Sequence, residues 1–147
     1  MNPVAIDTNV LIYLLLPQES EEDEIKQKIA WQVMEDLKKS NFLVVPLQVY
    51  KEFINVAERK FSLTFEELKE VIKILDSLVP NVISETPKTV KLTLDLREKY
   101  KLGYWDSIII ANCLENNVSV LLTEDKTYDY VELGKRRLYM VNPFEEM

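Results

Sequence analysis

The stretch PVAIDTNVLIYLLLP, residues 3–17, indicates the fold class of this 147-residue chain. Residues 3–6 form a short apolar run that is typical of a buried strand. Residues 9–16 predict an apolar helix, which Pro17 ends because proline cannot continue it. Asp7 stands between the two as a single acid in apolar sequence. The segment therefore predicts a buried strand that leads directly into a helix, with one carboxylate at the end of the strand.

The same alternation of strand and helix continues to the end of the chain. Further strands are predicted at residues 42–45, 81–84, 119–123 and 137–141. Helices are predicted to start near Ser20, Leu47, Thr64, Thr86 and Asp106. Strands separated by helices form a parallel sheet covered on both faces. We therefore expect one α/β domain over residues 1–147, a three-layer α/β/α sandwich around a central, mainly parallel sheet of four to five strands. Gly103 is expected to end the helix that starts at Thr86.

The composition excludes several kinds of chemistry. Without histidine the chain has no His-based catalytic triad and no His-ligated zinc site. Two glycines are too few for a P-loop or a dinucleotide-binding fingerprint. A single cysteine, Cys113, excludes a cysteine-rich metal site. Acid–base or metal chemistry must therefore come from carboxylates and water.

The chain carries no segment that predicts contact with a membrane. Its apolar run at residues 10–16 is far shorter than the roughly 20 residues of a membrane-spanning helix. No basic segment precedes that run, so we expect no signal peptide. The expectation is a cytoplasmic protein.

The net charge of −7 is unevenly distributed along the sequence. Setting aside the five acids between residues 19 and 24 and the four single acids discussed next leaves 16 of the 25 acids against 18 lysines and arginines. The tightest basic cluster is Lys135, Arg136 and Arg137, with Lys126, Arg59 and Lys60 as further basic candidates. We take Lys126 and the cluster at 135–137 as candidate RNA-binding residues.

Four acids are candidates for a shared site because each is embedded in apolar sequence at an end or an inward-facing part of a predicted element. Carboxylates next to a core are costly unless a positive charge compensates them. A hard divalent cation such as Mg²⁺ or Mn²⁺, which binds about six oxygen ligands, would provide that charge. It would also activate water for phosphodiester hydrolysis. The four acids, predicted to be catalytic and to hold one or two ions, are Asp7, Glu52, Asp106 and Asp125.

Each of these acids also has a simpler structural interpretation. Asp7 and Asp106 could cap the helices that follow them. Glu52 falls at the border of an apolar helical arc and could be a surface glutamate. Asp125 could be a turn residue, and its neighbour Glu124 could take the same role in its place.

The four acids and their neighbours, taken in order, resemble the PIN domain, and in particular the VapC-type toxin nucleases of prokaryotic toxin–antitoxin systems. The segments that carry the resemblance are DTN at 7–9, Glu52, YWDSIIIA at 104–111 and LLTED at 121–125. The resemblance implies that the acidic quartet is a metal site and that Thr8, Asn9 and Thr123 support it by hydrogen bonding. It further implies a Mg²⁺- or Mn²⁺-dependent endoribonuclease that forms homodimers. Such a protein would be neutralised by an antitoxin whose C-terminal segment enters the groove.

The expected function is therefore a toxin that hydrolyses single-stranded RNA, and three rivals remain. A HAD-like phosphatase would use Asp7 as nucleophile, but such enzymes usually carry a second aspartate two residues on, where this chain has Asn9. A response-regulator receiver would need paired acids that are not found here. A catalytically silent PIN-like module would bind only RNA or a protein.

Overall fold

The computed structural model describes residues 2–40 and 42–145. The six strands are β1 (Pro3–Ile6), β2 (Phe42–Pro46), β3 (Val82–Ile83), β4 (Val120–Leu122), β5 (Tyr130–Leu133) and β6 (Arg136–Val141). The six helices are α1 (Thr8–Leu15), α2 (Glu21–Ser40), α3 (Leu47–Arg59), α4 (Phe65–Leu78), α5 (Pro87–Lys99) and α6 (Tyr104–Glu115). Strand and helix alternate through most of the chain, as the sequence predicts.

The strands form one central sheet in the order β3-β2-β1-β4-β6-β5, flanked by the helices. All neighbouring pairs are parallel except β5 and β6, which are antiparallel. This confirms the predicted α/β class with a mainly parallel sheet. The predicted number of four to five strands is wrong, because the part of the chain that the structure describes forms a sheet of six.

The strand missing from the prediction is β5, which forms a hairpin with β6. The two strands are joined by Gly134 and Lys135, and Leu133 is paired with Arg136. Gly134 has a φ of +64°, the left-handed value that a two-residue hairpin loop with glycine in its first position requires. The hairpin therefore depends on one of the only two glycines in the chain.

The central strand β1 aligns its two neighbours at the same level. Ala5 is paired with Val44 of β2 and with Leu121 of β4. Ala5 and Val44 are buried, in keeping with a parallel strand pair covered on both faces. Because β1, β2 and β4 are parallel, their carboxyl ends lie at one edge of the sheet, which we call the carboxyl edge.

The loop between α5 and α6 differs from its prediction. Helix α5 ends at Lys99 with Tyr100 as its C-cap, so Gly103 does not end it. Gly103 instead has an ordinary φ of −66° and is the N-cap of α6. The glycine thus precedes a helix rather than following one, and α6 starts two residues before Asp106.

In the described part of the chain, none of the helices combines the length and the apolar character needed to cross a membrane.

The core around α3 allows a matched test of packing. Phe53 is fully buried, whereas Phe65 at the start of α4 is 71% exposed. We expect Phe53→Ala to lower the free energy of unfolding by about 3–5 kcal/mol, because it leaves a cavity. Phe65→Ala should change it by no more than about 0.5 kcal/mol. Urea denaturation with a constant m-value measures both, and similar losses for the two variants would contradict this packing.

Candidate functional site

The carboxyl edge carries three of the four predicted site acids on different elements. Asp7 follows β1, and its backbone N–H continues the ladder by donating to the carbonyl of Leu122 at 2.9 Å. Asp106 lies in the first turn of α6, and Asp125 lies three residues after β4. Together these three acids line one cavity of about 30 Å³. Thr123 and Thr127 also line it.

The fourth acid, Glu52, reaches the same region from α3, which begins directly after β2. Its Oε2 accepts a hydrogen bond from Thr8 Oγ1 at 2.8 Å, and its Oε1 accepts one from Gln48 Nε2 at 3.3 Å. Thr8 is the residue after Asp7, so the first bond joins the two acidic positions across the fold. Both carboxylate oxygens of Glu52 are therefore oriented by neutral donors.

Asn9 and Thr123 connect α1 to the segment that carries Asp125. Asn9 Nδ2 donates to Thr123 Oγ1 at 3.4 Å, and Asn9 Oδ1 accepts from the backbone N–H of Glu124 at 3.1 Å. Thr123 Oγ1 in turn accepts from the backbone N–H of Asp125 at 3.3 Å. Thr8 and Thr123 thus bond to a site acid or to its backbone, whereas Asn9 bonds to Thr123 and to the backbone of Glu124, the residue before Asp125. Their support of a bound metal stays a prediction.

The electrostatics of the site show that the acids act on one another. Burial raises the pKa of Asp7 to about 6, and the negative charges of Glu52 and Asp106 add to this rise. Hydrogen bonds from Thr8 and Thr123 oppose it. Burial of the carboxyl also raises the pKa of Asp106, followed by the charges of Glu52 and Asp125. Through these couplings all four acids belong to a single cluster of negative charge.

Other acids at the carboxyl edge are neutralised by lysines. Glu124 Oε2 lies 2.6 Å from Lys26 Nζ, and Glu124 Oε1 accepts a hydrogen bond from the Tyr13 hydroxyl at 2.9 Å. Glu85, two residues after β3, lies 3.1 Å from Lys51. The alternative that Glu124 replaces Asp125 is thus disfavoured, because Glu124 is bound to Lys26 and does not line the cavity.

The four site acids differ from these two in having no such partner. Among residues 2–40 and 42–145, none of the four forms a salt bridge. Negative charge therefore accumulates in the cavity without compensation from a side chain.

The donor set fits a hard divalent cation, since carboxylate and hydroxyl oxygens are the ligands that Mg²⁺ and Mn²⁺ prefer. The cavity volume also suffices for a water-sized species. Within the described residues, however, no three acidic or cysteine side chains stand close enough together to ligate one ion without moving. The site therefore offers oxygen donors of the kind that such a cation binds, in an arrangement that does not itself form a coordination shell among the described residues.

The simpler structural interpretations hold only in part. Asp7 is the N-cap of α1, and its Oδ1 accepts from the Thr8 backbone N–H at 2.7 Å, so it caps a helix and lines the cavity at once. Asp106 is not a cap, because Gly103 occupies that position. Glu52 is half-buried, and Asp125 is exposed in the loop after β4.

The candidate RNA-binding residues are divided by the fold. Arg136 is the first residue of β6, and Val141, its last residue, is paired with Leu122 at the end of β4. Five residues of extended chain, roughly 16 Å, therefore separate Arg136 from the carboxyl edge. The basic cluster at 135–137 therefore lies at the edge opposite the four acids, and Arg137 is paired with Glu132 at 3.1 Å. Lys126 remains beside Asp125, where it lies 3.0 Å from Asp129.

Some site residues were missed at the sequence level. Gln48 is buried and bonds Glu52 from one helical turn earlier, so its i, i+4 spacing was a usable signal. The hydrogen bonds of Lys26 and Tyr13 to Glu124 link residues about a hundred positions apart, and no local sequence pattern predicts them.

Comparison with known proteins agrees with this architecture. The sequence model described as "PIN domain" matches residues 4–133, which is most of the chain. The chain therefore belongs to the PIN domain family. No curated protein matches it.

Several solved structures share the fold. VapBC2 from Rickettsia felis, bound to a DNA fragment from its promoter, has a TM-score of 0.65 and 19% identity, with 84% of this chain and 88% of that chain covered. FitAcB from Neisseria gonorrhoeae has a TM-score of 0.65 and 16% identity, with 97% of this chain and 99% of that chain covered. Mycobacterium tuberculosis VapC20, a toxin described as cleaving the sarcin–ricin loop, has a TM-score of 0.62 and 13% identity. The match covers 84% of this chain and 91% of that chain. At these identities the likeness shows the fold alone.

The raised pKa of Asp7 makes stability depend on pH. Between its ordinary value of 3.8 and about 6, folded Asp7 keeps a proton that the unfolded chain has lost, so the free energy of unfolding falls as pH rises through this window. Asp7→Asn removes the ionisable carboxyl and with it this fall in the free energy of unfolding. In EDTA at about pH 7.5, we expect the variant to be more stable than the wild type by up to about 3 kcal/mol.

At about pH 3.5 the advantage of Asp7→Asn should largely disappear, since Asp7 is then mostly protonated in both states. Asp36→Asn, at an exposed acid of α2, is the matched control and should show no such pH-dependent gain. Urea denaturation at the two pH values measures the difference. An Asp7→Asn protein that gains no stability at the higher pH would contradict the accumulation of charge at this site.

Proposed function

We propose that this chain is a metal-dependent endoribonuclease that hydrolyses phosphodiester bonds of single-stranded RNA. It would use one or two Mg²⁺ or Mn²⁺ ions, held by Asp7, Glu52, Asp106 and Asp125. The observation that carries the proposal is that four electrostatically coupled carboxylates lie at one edge of the sheet. Among the described residues no basic side chain forms a salt bridge with any of them. Nearby acids with a structural role, such as Glu124, do have a lysine partner.

The roles of the chain's own residues follow from their contacts. Asp7 is held at the end of β1 by two hydrogen bonds, from its backbone N–H to Leu122 and from the backbone N–H of Thr8 to its Oδ1. Thr8 fixes Glu52 toward it, and Thr123 fixes the backbone of Asp125. Asp106 and Asp125 lie on the exposed side, where an RNA phosphate can approach. A divalent cation bound there would lower the pKa of water and stabilise the charge that develops on the phosphate oxygens.

We further propose that the protein acts in the cytoplasm as the toxin of a type II toxin–antitoxin system, as a homodimer that a cognate antitoxin inhibits. Support comes from membership of the PIN domain family and from the shared fold with toxins of such systems. One of those similar structures, from Klebsiella pneumoniae, is itself a toxin–antitoxin complex, with a TM-score of 0.63 and 21% identity.

Cleavage of RNA tests the enzymatic assignment. The wild type should cleave single-stranded RNA in Mg²⁺ or Mn²⁺ and lose activity in EDTA. Asp7→Asn and Asp106→Asn should each lower kcat by about 100-fold or more, because each removes a negatively charged ligand of the cation that stabilises the reacting phosphate. Thr8→Val, which keeps the shape but removes the donor to Glu52, should cost about 10- to 100-fold.

Asp36→Asn is again the control and should cleave like the wild type. A gel assay on a panel of labelled RNAs gives the rates. RNA binding without cleavage by the wild type would favour a silent module, and cleavage that survives Asp7→Asn and Asp106→Asn would contradict the assigned site.

Thermal stability tests the metal site without any turnover. An ion that binds only the folded state at about 100 times its Kd stabilises by about 2.7 kcal/mol. For a chain of this length we expect a rise in Tm of about 5–11 °C in Mn²⁺. Asp106→Asn should reduce this rise, and KCl at equal ionic strength should not reproduce it. A Tm that Mg²⁺ and Mn²⁺ leave unmoved would count against the site.

A further inference from the structure

A basic and aromatic surface lies at the junction of α5 and α6. We call Arg97, Lys101, Tyr104 and Trp105 the α5–α6 surface. Trp105 is 58% exposed and Tyr104 is 37% exposed. Their rings meet edge to face with centroids 5.0 Å apart, and the Arg97 guanidinium lies 5.8 Å from the Tyr104 ring centroid. Exposed aromatic faces beside cations are the features that bind unstacked nucleotides.

This surface is continuous with the acidic cavity. Trp105 directly precedes Asp106 in the first turn of α6. Arg97 and Lys101 also line a groove of about 810 Å³, together with Lys99 and Tyr128. Leu102 lines both this groove and the cavity that contains Asp7, Asp106 and Asp125. A chain lying in the groove would therefore pass next to the cavity that these three acids line.

Electrostatics favours such a surface for an RNA substrate. Four carboxylates repel a phosphate backbone, so nearby cations must provide the attraction. Three lysines close to the site already have carboxylate partners: Lys26, Lys51 and Lys126. Arg97 and Lys101, by contrast, are exposed and form no salt bridge within residues 2–40 and 42–145. The groove contains one acid, Glu98, against three basic residues.

We propose that the α5–α6 surface binds the single-stranded RNA substrate next to the cleavage site. Trp105 stacks on a base, and Tyr104 supports the Trp105 ring from the side. Arg97 and Lys101 contact the flanking phosphates. The inference rests on the proposed ribonuclease function and extends it. It favours single strands, because the bases of a duplex are already stacked on one another and cannot lie on an exposed ring.

Binding of a fluorescein-labelled 12-nucleotide RNA of A and C, followed by fluorescence anisotropy in EDTA, tests the stacking. Trp105→Ala should weaken binding by about 5- to 140-fold, the effect of losing one base–aromatic stack. Trp105→Phe keeps a ring and should recover most of the affinity. Trp31→Ala is the matched control, since Trp31 is an exposed tryptophan of α2. It should leave binding unchanged.

The dependence of binding on salt tests the two cations together, apart from the stacking on Trp105. The double variant Arg97→Ala, Lys101→Ala should reduce the slope of log affinity against log salt concentration by about 1.4, or about 0.7 for each lost phosphate contact. Lys38→Ala with Lys39→Ala removes two exposed charges at the end of α2, before the amino end of β2, and should leave the slope unchanged.

The possible outcomes separate this inference from the proposed function. If the wild type cleaves RNA while Trp105→Ala binds and cleaves it equally well, only the assignment of this surface fails. If the wild type binds no RNA in EDTA, the surface assignment fails as well. If Trp105→Ala leaves RNA binding intact but shifts the molecular mass in light scattering, the surface is a contact between copies of the chain, and the inference is overturned. Failure of the wild type to cleave any RNA would instead contradict the ribonuclease proposal.

Discussion

Parallel pairing of β1 with both β2 and β4 is the constraint from which the site follows. Ala5 is paired with Val44 on one side and Leu121 on the other, so the three strands end at the same level. Asp7, the start of α3 and the loop with Asp125 are thereby brought to one edge. A slip of one residue would exchange the two faces of a strand, and the burial of both faces of β1 and β2 opposes it. Core packing thus fixes the positions of the elements that carry the acids, and hydrogen bonds made by Asp7 and Glu52 orient these two side chains.

The contrast between neutralised and unneutralised acids explains how such a site can be kept in a stable protein. Glu124 and Glu85 have lysine partners, which hold α2 and α3 to the loops at the carboxyl edge. Lys26 also lies 5.2 Å from the centroid of the Tyr13 ring, so its charge is stabilised from two sides. These contacts fix the surroundings of the cavity. The repulsion among the four remaining carboxylates is then confined to a small, supported region.

Much of the fold could be predicted from the sequence because its parallel strands are nearly continuous apolar runs. β1 and β2 are examples, and both were predicted close to their observed bounds. β5 was not, because Tyr130–Leu133 contains a charged residue and is defined by antiparallel pairing across the turn at Gly134. The role of Gly103 was misassigned for a related reason. Its backbone conformation decides whether it follows one helix or precedes the next, and the sequence alone does not fix that choice.

For the site, the sequence was informative wherever an acid follows a strand, because strand order alone brings Asp7 and Asp125 together. The sequence was less informative about which basic residues lie near the acids. The cluster at 135–137 is dense in sequence, yet the direction of β6 carries it to the edge opposite the acids. Arg97 and Lys101 are four residues apart and inconspicuous in sequence, but the α5–α6 junction brings them beside the cavity. Which cations lie near the acids is a property of strand direction, which charge density along the chain does not reveal.

The two edge strands of the sheet are both short, and this limits association through strand pairing between molecules. β3 contributes two residues at one border and β5 four at the other. A strand from another polypeptide would find few free backbone amides and carbonyls there, which protects against edge-to-edge aggregation. Recognition of other macromolecules is therefore left to side chains on helices and loops, where specificity can change by single substitutions without disturbing the sheet.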